Sequence, residues 1–86
     1  MKVLMKPIDM IAWFTPEGEP RPIKYRLMEE EKYHTIRVDR VMERSEEKWA
    51  GNRMLVYRCQ SVIEGREQVY ELKYELNTCK WFLYKM

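Results

Sequence analysis

Strict alternation of apolar and polar side chains is the feature that most constrains how this chain can fold. Residues 69–76 read VYELKYEL, and the even-numbered positions carry only apolar or aromatic side chains, namely Tyr70, Leu72, Tyr74 and Leu76. Because successive side chains of a β-strand point to opposite faces of a sheet, this spacing predicts a strand with one buried face. An amphipathic helix would instead need apolar residues at intervals of three and four.

The same period extends over the C-terminal half of the chain. Residues 52–63 alternate in the same way, and the Glu64-Gly65 step after them is typical of a hairpin turn. Asn77-Thr78 then separates the alternating stretch from the final segment CKWFLYKM. Residues 52–86 are therefore predicted to form a three-stranded antiparallel meander.

Three further segments upstream have the composition of strands. RPIKYRL alternates apolar and basic residues, and IDMIAWF at 8–14 is an apolar run between Pro7 and the turn-rich TPEGEP. In TIRVDRVM the apolar parity changes after Val38, which predicts a β-bulge or bend near Asp39-Arg40.

Helical signals are nearly absent. Only SEEKWAG at 45–51 could form a short helical turn, with Ser45 as its cap and Gly51 as its stop. We therefore expect an all-β or mostly β fold: a small, strongly curved antiparallel sheet or partly closed barrel of five to six strands, with at most one short helix.

Length and composition indicate one folded domain over residues 1–86. A chain this short buries only about 60% of its unfolded surface around a single core, but 45% hydrophobic residues suffice to build that core. The net charge of +2 is too balanced to identify a partner, although basic residues exceed acidic ones toward both ends of the chain. No apolar stretch has the length of a signal peptide core or a membrane span, so we expect a cytoplasmic protein with reduced thiols and no membrane partner.

The chemistry-bearing residues do not favour catalysis. Cys59 and Cys79 stand alone rather than in a CxxC pair, and His34 is the only histidine, so a zinc site within the chain is not expected. A Cys–His dyad is conceivable, but Cys59 shares the apolar parity of its strand and is better explained as a core residue. The glutamate runs 29–31 and 46–47 are typical of solvated connections. We predict neither an enzyme nor a cofactor.

Basic residues interleaved with aromatic ones form the one pattern in the sequence that indicates a binding function. On the parity opposite the core, the expected face combines cations and rings, as in sheets that bind single-stranded nucleic acid. The residues predicted to form this nucleic-acid-binding face are Lys24, Arg26, Arg58, Lys73, Lys80, Phe82 and Tyr84. Two alternatives remain open: the charges pair with glutamates across strands, or the N-terminal strand covers Phe82 and Tyr84.

The three tryptophans are expected to lie in the core or to cover it, because each contributes a large buried area in so small a chain. Trp49 follows an acidic run and precedes Ala50-Gly51, so it is also a candidate for an exposed binding anchor.

Several short motifs resemble a family of small uncharacterised bacterial domains. The motifs lie in RPIKYRL, IRVDRVMERSEEKW, YELKYEL and KWFLYKM, and the matching positions are Ile36, Val38, Val41, Glu43, Tyr70, Glu71, Leu72, Trp81 and Leu83. Domains of this family occur alone or appended to error-prone Y-family DNA polymerases. The resemblance implies an accessory role near nucleic-acid transactions and supplies no catalytic residues.

Two hypotheses of function follow. The first is a binding module that contacts nucleic acid weakly and without sequence preference through the predicted face. The second is a protein-interaction module or homodimer that pairs an edge strand with another chain, for which the apolar run IDMIAWF is the candidate.

Overall fold

The computed structural model describes all 86 residues as a β-protein without helices. Its strands are β1 (Val3–Phe14), β2 (Pro20–Glu29), β3 (Lys32–Arg37), β4 (Arg40–Trp49), β5 (Asn52–Ile63), β6 (Arg66–Glu75) and β7 (Lys80–Lys85). All-β architecture and the C-terminal meander β5–β6–β7 are thereby confirmed, but the number of strands is seven rather than five to six. No helix is present that could cross a membrane.

Tight hairpin turns explain why the strands are so closely spaced along the chain. Two-residue turns at Glu30-Glu31, Ala50-Gly51 and Glu64-Gly65 all have positive φ at both positions. This is the geometry of type I′ turns, whose twist matches that of the strands they join. The helical turn predicted for residues 45–51 is therefore wrong: β4 continues to Trp49, which pairs with Asn52 across the turn.

The seven strands form one antiparallel sheet in the order β3-β2-β1-β7-β6-β5-β4. The last strand returns to pair with the first, because β7 lies against both β6 and β1. β1 is consequently an interior strand, with β2 on its other side. The prediction that IDMIAWF provides an open edge is wrong, and the unpaired edges belong to β3 and β4.

Residues 38 and 39 connect the two edge strands. The Val38 amide donates to the carbonyl of Ile23 over 2.8 Å, and the Asp39 amide donates to the carbonyl of Gln60 over 3.0 Å. No ladder joins β3 to β4, so the sheet is not closed. The predicted irregularity near Asp39-Arg40 is this junction, and a shift of register follows between Val41 and Glu43.

One side of the sheet, here called the inner face, carries the core. Its buried side chains come mainly from β2, β5, β6 and β7, and they are Tyr25, Leu27, Ile36, Leu55, Tyr57, Cys59, Tyr70, Leu72, Tyr74, Trp81 and Leu83. The alternation in residues 69–76 is confirmed for three of its four apolar positions, while Leu76 lies in the turn and is half-buried. Cys59 is fully buried, as its parity predicts.

Three hydroxyl groups of the core, those of Tyr57, Ser61 and Tyr70, are hydrogen-bonded on the inner face. The Tyr57 hydroxyl donates to the carbonyl of Pro20 over 2.5 Å. The Ser61 hydroxyl lies 2.6 Å from the Arg37 carbonyl and 2.5 Å from the Tyr70 hydroxyl. These bonds tie β5 to β2 and β3, because a buried hydroxyl without a partner would cost free energy.

Candidate nucleic-acid interface

The side of the sheet opposite the core has two parts, one carried by the C-terminal strands and one by the N-terminal strands. Strands β4 to β7 form the C-terminal face, and three of its cross-strand rows, which follow from the register, contain the predicted binding residues. The first row is Glu43, Arg58, Glu71 and Lys85; the second is Ser45, Val56, Lys73 and Phe82; the third is Glu47, Met54, Glu75 and Lys80. Tyr84 follows Phe82 on the same parity.

Lys73 lies on this face but is not available to a ligand. It is only 7% exposed, and its ammonium is hydrogen-bonded to the carboxylate of Glu47. The same ammonium lies 3.7 Å from the centroid of the Tyr84 ring. Lys73 and Tyr84, both predicted to contact nucleic acid, are thus engaged with each other, and Lys73 is also bonded to Glu47.

The other cations of the C-terminal face stand beside carboxylates. Arg58 lies between Glu43 and Glu71 in its row. Lys80 is exposed and pairs in register with Glu75. Hydrogen bonds from Thr78 and Asn52 lower the pKa of Glu75, which keeps that carboxylate charged beside Lys80.

Phe82 is half-buried, and Pro7 of β1 lies directly opposite it. The N-terminal strand therefore limits access to this ring, which was one of the alternatives drawn from the sequence. In these three rows the C-terminal face has four carboxylates and four cations, so their charges balance and do not attract a polyanion.

Strands β1, β2 and β3 carry the second outer surface, the N-terminal face. Its cross-strand rows are Trp13 with Arg21; Ile11 with Lys24 and Arg37; Asp9 with Arg26 and Thr35; and Met28 with Tyr33. Of the seven predicted binding residues, only Lys24 and Arg26 lie here. The structure does not bring the other five together with them.

The charge of the N-terminal face is clearly positive. Four cations, from Arg21, Lys24, Arg26 and Arg37, face a single carboxylate in these rows, that of Asp9. Asp9 pairs with the guanidinium of Arg26 over 2.8 Å, and this contact raises the pKa of Arg26. Arg21 and Lys24 form no ion pair, and Arg37 has only a 3.8 Å contact with Asp39, its side chain being 81% exposed.

Two aromatic rings stand open on the same face, each beside an arginine. Trp13 is 51% exposed, and the guanidinium carbon of Arg21 lies 5.5 Å from its ring centroid. Tyr33 is 54% exposed, and the corresponding distance from Arg26 is 4.2 Å. The expectation that all three tryptophans pack in or over the core therefore holds for buried Trp81 but not for Trp13.

A shallow depression of about 380 Å³ lies near the middle of the N-terminal face. The side chains that surround it on this face are Asp9, Ile11, Lys24, Arg26 and Thr35. It therefore offers a carboxylate, two cations, a hydroxyl and an apolar surface within one concavity.

Sequence reasoning did not single out Trp13, Arg21, Tyr33 and Arg37 as binding residues. A signal for two of them was present, since Tyr33 and Arg37 sit on the parity opposite buried Ile36. No comparable signal identified Trp13, because its apolar strand reads as buried on both sides.

Cys59 and His34, the residues of the dyad considered from the sequence, lie in different surroundings. Burial raises the pKa of the Cys59 thiol to about 12, and its sulfur is hydrogen-bonded only to the carbonyl of Tyr57. His34 is exposed on the edge strand β3. No cluster of histidine, cysteine and carboxylate side chains could hold a metal ion.

The Tyr25 hydroxyl is buried and has no hydrogen-bond partner of acceptable geometry. Burial raises its pKa, and the nearby Tyr70 hydroxyl adds to that effect. The two rings pack edge to face with centroids 5.8 Å apart, so both tyrosines contribute to the packing of the core.

Comparisons with known protein families, with curated proteins and with solved structures find no match to this chain. The resemblance to domains associated with Y-family polymerases therefore stays a prediction.

Proposed function

We propose that this chain is a small, non-catalytic binding module that contacts nucleic acid through its N-terminal face, without sequence preference. The observation that carries the proposal is the combination of four cations, one carboxylate and two exposed rings on the outer side of β1–β3. Such a positive surface attracts the phosphates of nucleic acid, and exposed aromatic rings can stack on its bases. An accessory role in the bacterial cytoplasm, as the sequence resemblance implies, is compatible with this activity.

The fold supports the proposal by keeping the binding face open. We infer that the sheet is strongly curved and forms a partly closed barrel, because β2 and β3 are bonded to β5 across the inner face. The core then occupies the concave side, and the side chains of the N-terminal face point outward. A ligand on that face would not compete with core packing.

The expected affinity is modest. Arg21, Lys24 and Arg37 are the cations of this face that no close carboxylate neutralises. Three phosphate contacts predict a slope of about −2 to −3 in the logarithm of the binding constant against the logarithm of salt concentration. Affinity should fall roughly 20- to 40-fold between about 50 and 200 mM salt.

Fluorescence anisotropy of labelled oligonucleotides, titrated at low salt and then through increasing salt, tests the proposal. A linear decrease with the expected slope would support it. Absence of binding at about 20 mM salt, where electrostatic attraction is strongest, would contradict it.

A second candidate function is self-association through β4. This edge strand is ten residues long, its outer edge has no partner, and Trp49 at its end is 72% exposed. An open edge can pair with the same edge of another copy. Sedimentation velocity at high micromolar concentration should then show a dimer that Ser45→Pro disrupts, whereas a strictly monomeric protein would exclude this function.

A further inference from the structure

We infer that the N-terminal face selects single-stranded over double-stranded nucleic acid, an inference that rests on the proposed function and specifies its ligand. Trp13 and Tyr33 would each stack on an unpaired base, and the central depression would hold one nucleotide between them. The cations of the face would contact the connecting phosphates.

The two rings are open enough to stack. About half of each side chain is exposed, although an arginine already lies beside each ring. A base can stack on the open part of the ring or on the guanidinium plane itself. The bases of a duplex cannot do so, because they are stacked on one another.

The spacing of the rings fits a strand several nucleotides long. Trp13 lies opposite Arg21 and Tyr33 lies opposite Met28, so the rings are separated by seven residues along β2. At roughly 3.3 Å per residue, the two positions of β2 that lie opposite the rings are at most about 23 Å apart. Sheet-based binders that occupy about 4 to 16 nucleotides cover such lengths.

Cations lie between the rings, where a backbone crossing from one to the other would pass. Lys24 and Arg37 are direct cross-strand neighbours in the row between Trp13 and the Asp9–Arg26 pair. Neither has a carboxylate closer than 3.8 Å. Two adjacent cations at this point can bind successive phosphates.

The central depression supplies the third element of selection. Its volume of about 380 Å³ lies within the roughly 300–1,000 Å³ range of small-molecule sites. The Asp9 carboxylate accepts hydrogen bonds, the Arg26 guanidinium donates them, and the Thr35 hydroxyl can do both. An unpaired base exposes edges that match these groups, whereas a duplex presents mainly phosphates to a shallow surface.

The test compares a labelled 12-nucleotide single strand with a duplex of the same sequence at one salt concentration. Variants Trp13→Ala and Tyr33→Ala remove the rings, and Trp49→Ala is the matched control because Trp49 is exposed on the other half of the sheet. We expect the single strand to bind at least about tenfold more tightly than the duplex. Each ring deletion should weaken its binding about fivefold to 100-fold, with an unchanged salt slope.

The outcomes separate this inference from the function on which it rests. Equal binding of single strand and duplex, with no effect of either ring deletion, would overturn single-strand selection while leaving nucleic-acid binding in place. A loss of affinity in Trp49→Ala as large as in Trp13→Ala would also overturn it. Absence of binding to both nucleic acids would instead contradict the proposed function itself.

Discussion

The two outer faces of this sheet contain similar residue types but differ in how far their cations are accessible to a ligand. On the C-terminal face, Lys73 is covered by Tyr84 and bonded to Glu47. On the N-terminal face, Arg26 also contacts a ring and a carboxylate, but its side chain remains 52% exposed. The difference shows that the parity of a residue decides its face, whereas its cross-strand neighbours decide whether a ligand can reach it.

The neighbours differ because the strands differ in their surroundings. On the C-terminal face, Glu47 of β4 and Tyr84 of β7 both contact the ammonium of Lys73 on β6. β2 and β3 approach an edge of the sheet, where long side chains extend into solvent. Lys73 is consequently held in place, whereas Lys24 and Arg37 are exposed and have no hydrogen-bonded carboxylate.

The largest difference in the free energy of unfolding is expected between alanine variants of two tryptophans. Trp81 is buried and packs against Tyr74 and Tyr57 with ring centroids 4.8 and 5.5 Å apart. Trp81→Ala should lower the free energy of unfolding by about 3–5 kcal/mol, whereas Trp13→Ala should lower it by less than about 1 kcal/mol. Urea denaturation followed by circular dichroism measures both, and equal losses would contradict the assignment of Trp13 to an open surface.

The next largest difference in the free energy of unfolding is expected between variants that break an ion pair on each face. Glu47→Ala leaves the Lys73 ammonium without its carboxylate in a site where it is largely buried, which should cost about 2–3 kcal/mol. Asp9→Ala breaks an exposed pair and should cost less than about 1 kcal/mol. Denaturant unfolding of both variants measures the difference.

A double variant provides the control for the Glu47 result. Glu47→Leu with Lys73→Met replaces the pair by apolar side chains and should recover most of the lost stability. If Glu47→Ala were no more destabilising than Asp9→Ala, the buried Lys73 ammonium would not depend on its carboxylate partner more than the exposed Arg26 does.

The pH dependence of stability gives a smaller effect, confined to the C-terminal face. The pKa of Glu75 is lowered in the folded state from its ordinary value of 4.5 by hydrogen bonds from Thr78 and Asn52. A lowered pKa contributes stability above the unfolded value, and that stability is lost as pH falls through the folded value. Glu75→Gln should therefore lose less stability than the unmodified chain between about pH 6 and pH 3.

Thermal unfolding of the two proteins at several pH values below neutrality measures this effect. Asp9→Asn is the matched control on the N-terminal face. Identical acid sensitivity of Glu75→Gln and the unmodified chain would show that the turn after β6 does not depend on this carboxylate.

Much of the fold could be predicted from alternation alone. The stretch around Tyr70 and Leu72 and the Glu64-Gly65 turn correctly predict β5, β6 and β7, because local periodicity and turn chemistry decide these elements. The position of β1 could not be predicted in the same way. Its pairing with β7 joins residues at opposite ends of the chain, and no local pattern encodes that contact.

The candidate site was less predictable than the fold for a related reason. Alternation places Lys24 and Lys73 alike on outward parities, and only strand order shows that the first is exposed and the second covered. Trp13 was expected to lie in the core or to cover it because a tryptophan contributes a large buried area in so small a chain. Its exposure follows from the absence of any element packed over the outer side of β1 and β2.

Binding of nucleic acid to the N-terminal face is tested most directly by neutralising the same number of charges on each face. Lys24→Gln with Arg37→Gln should weaken binding of a labelled single-stranded oligonucleotide about tenfold and reduce the magnitude of the salt slope by about two. Arg58→Gln with Lys80→Gln makes the same change in net charge and should alter affinity less than about twofold, with the salt slope unchanged. Equal losses in the two double variants, or a larger loss in the second, would contradict the claim.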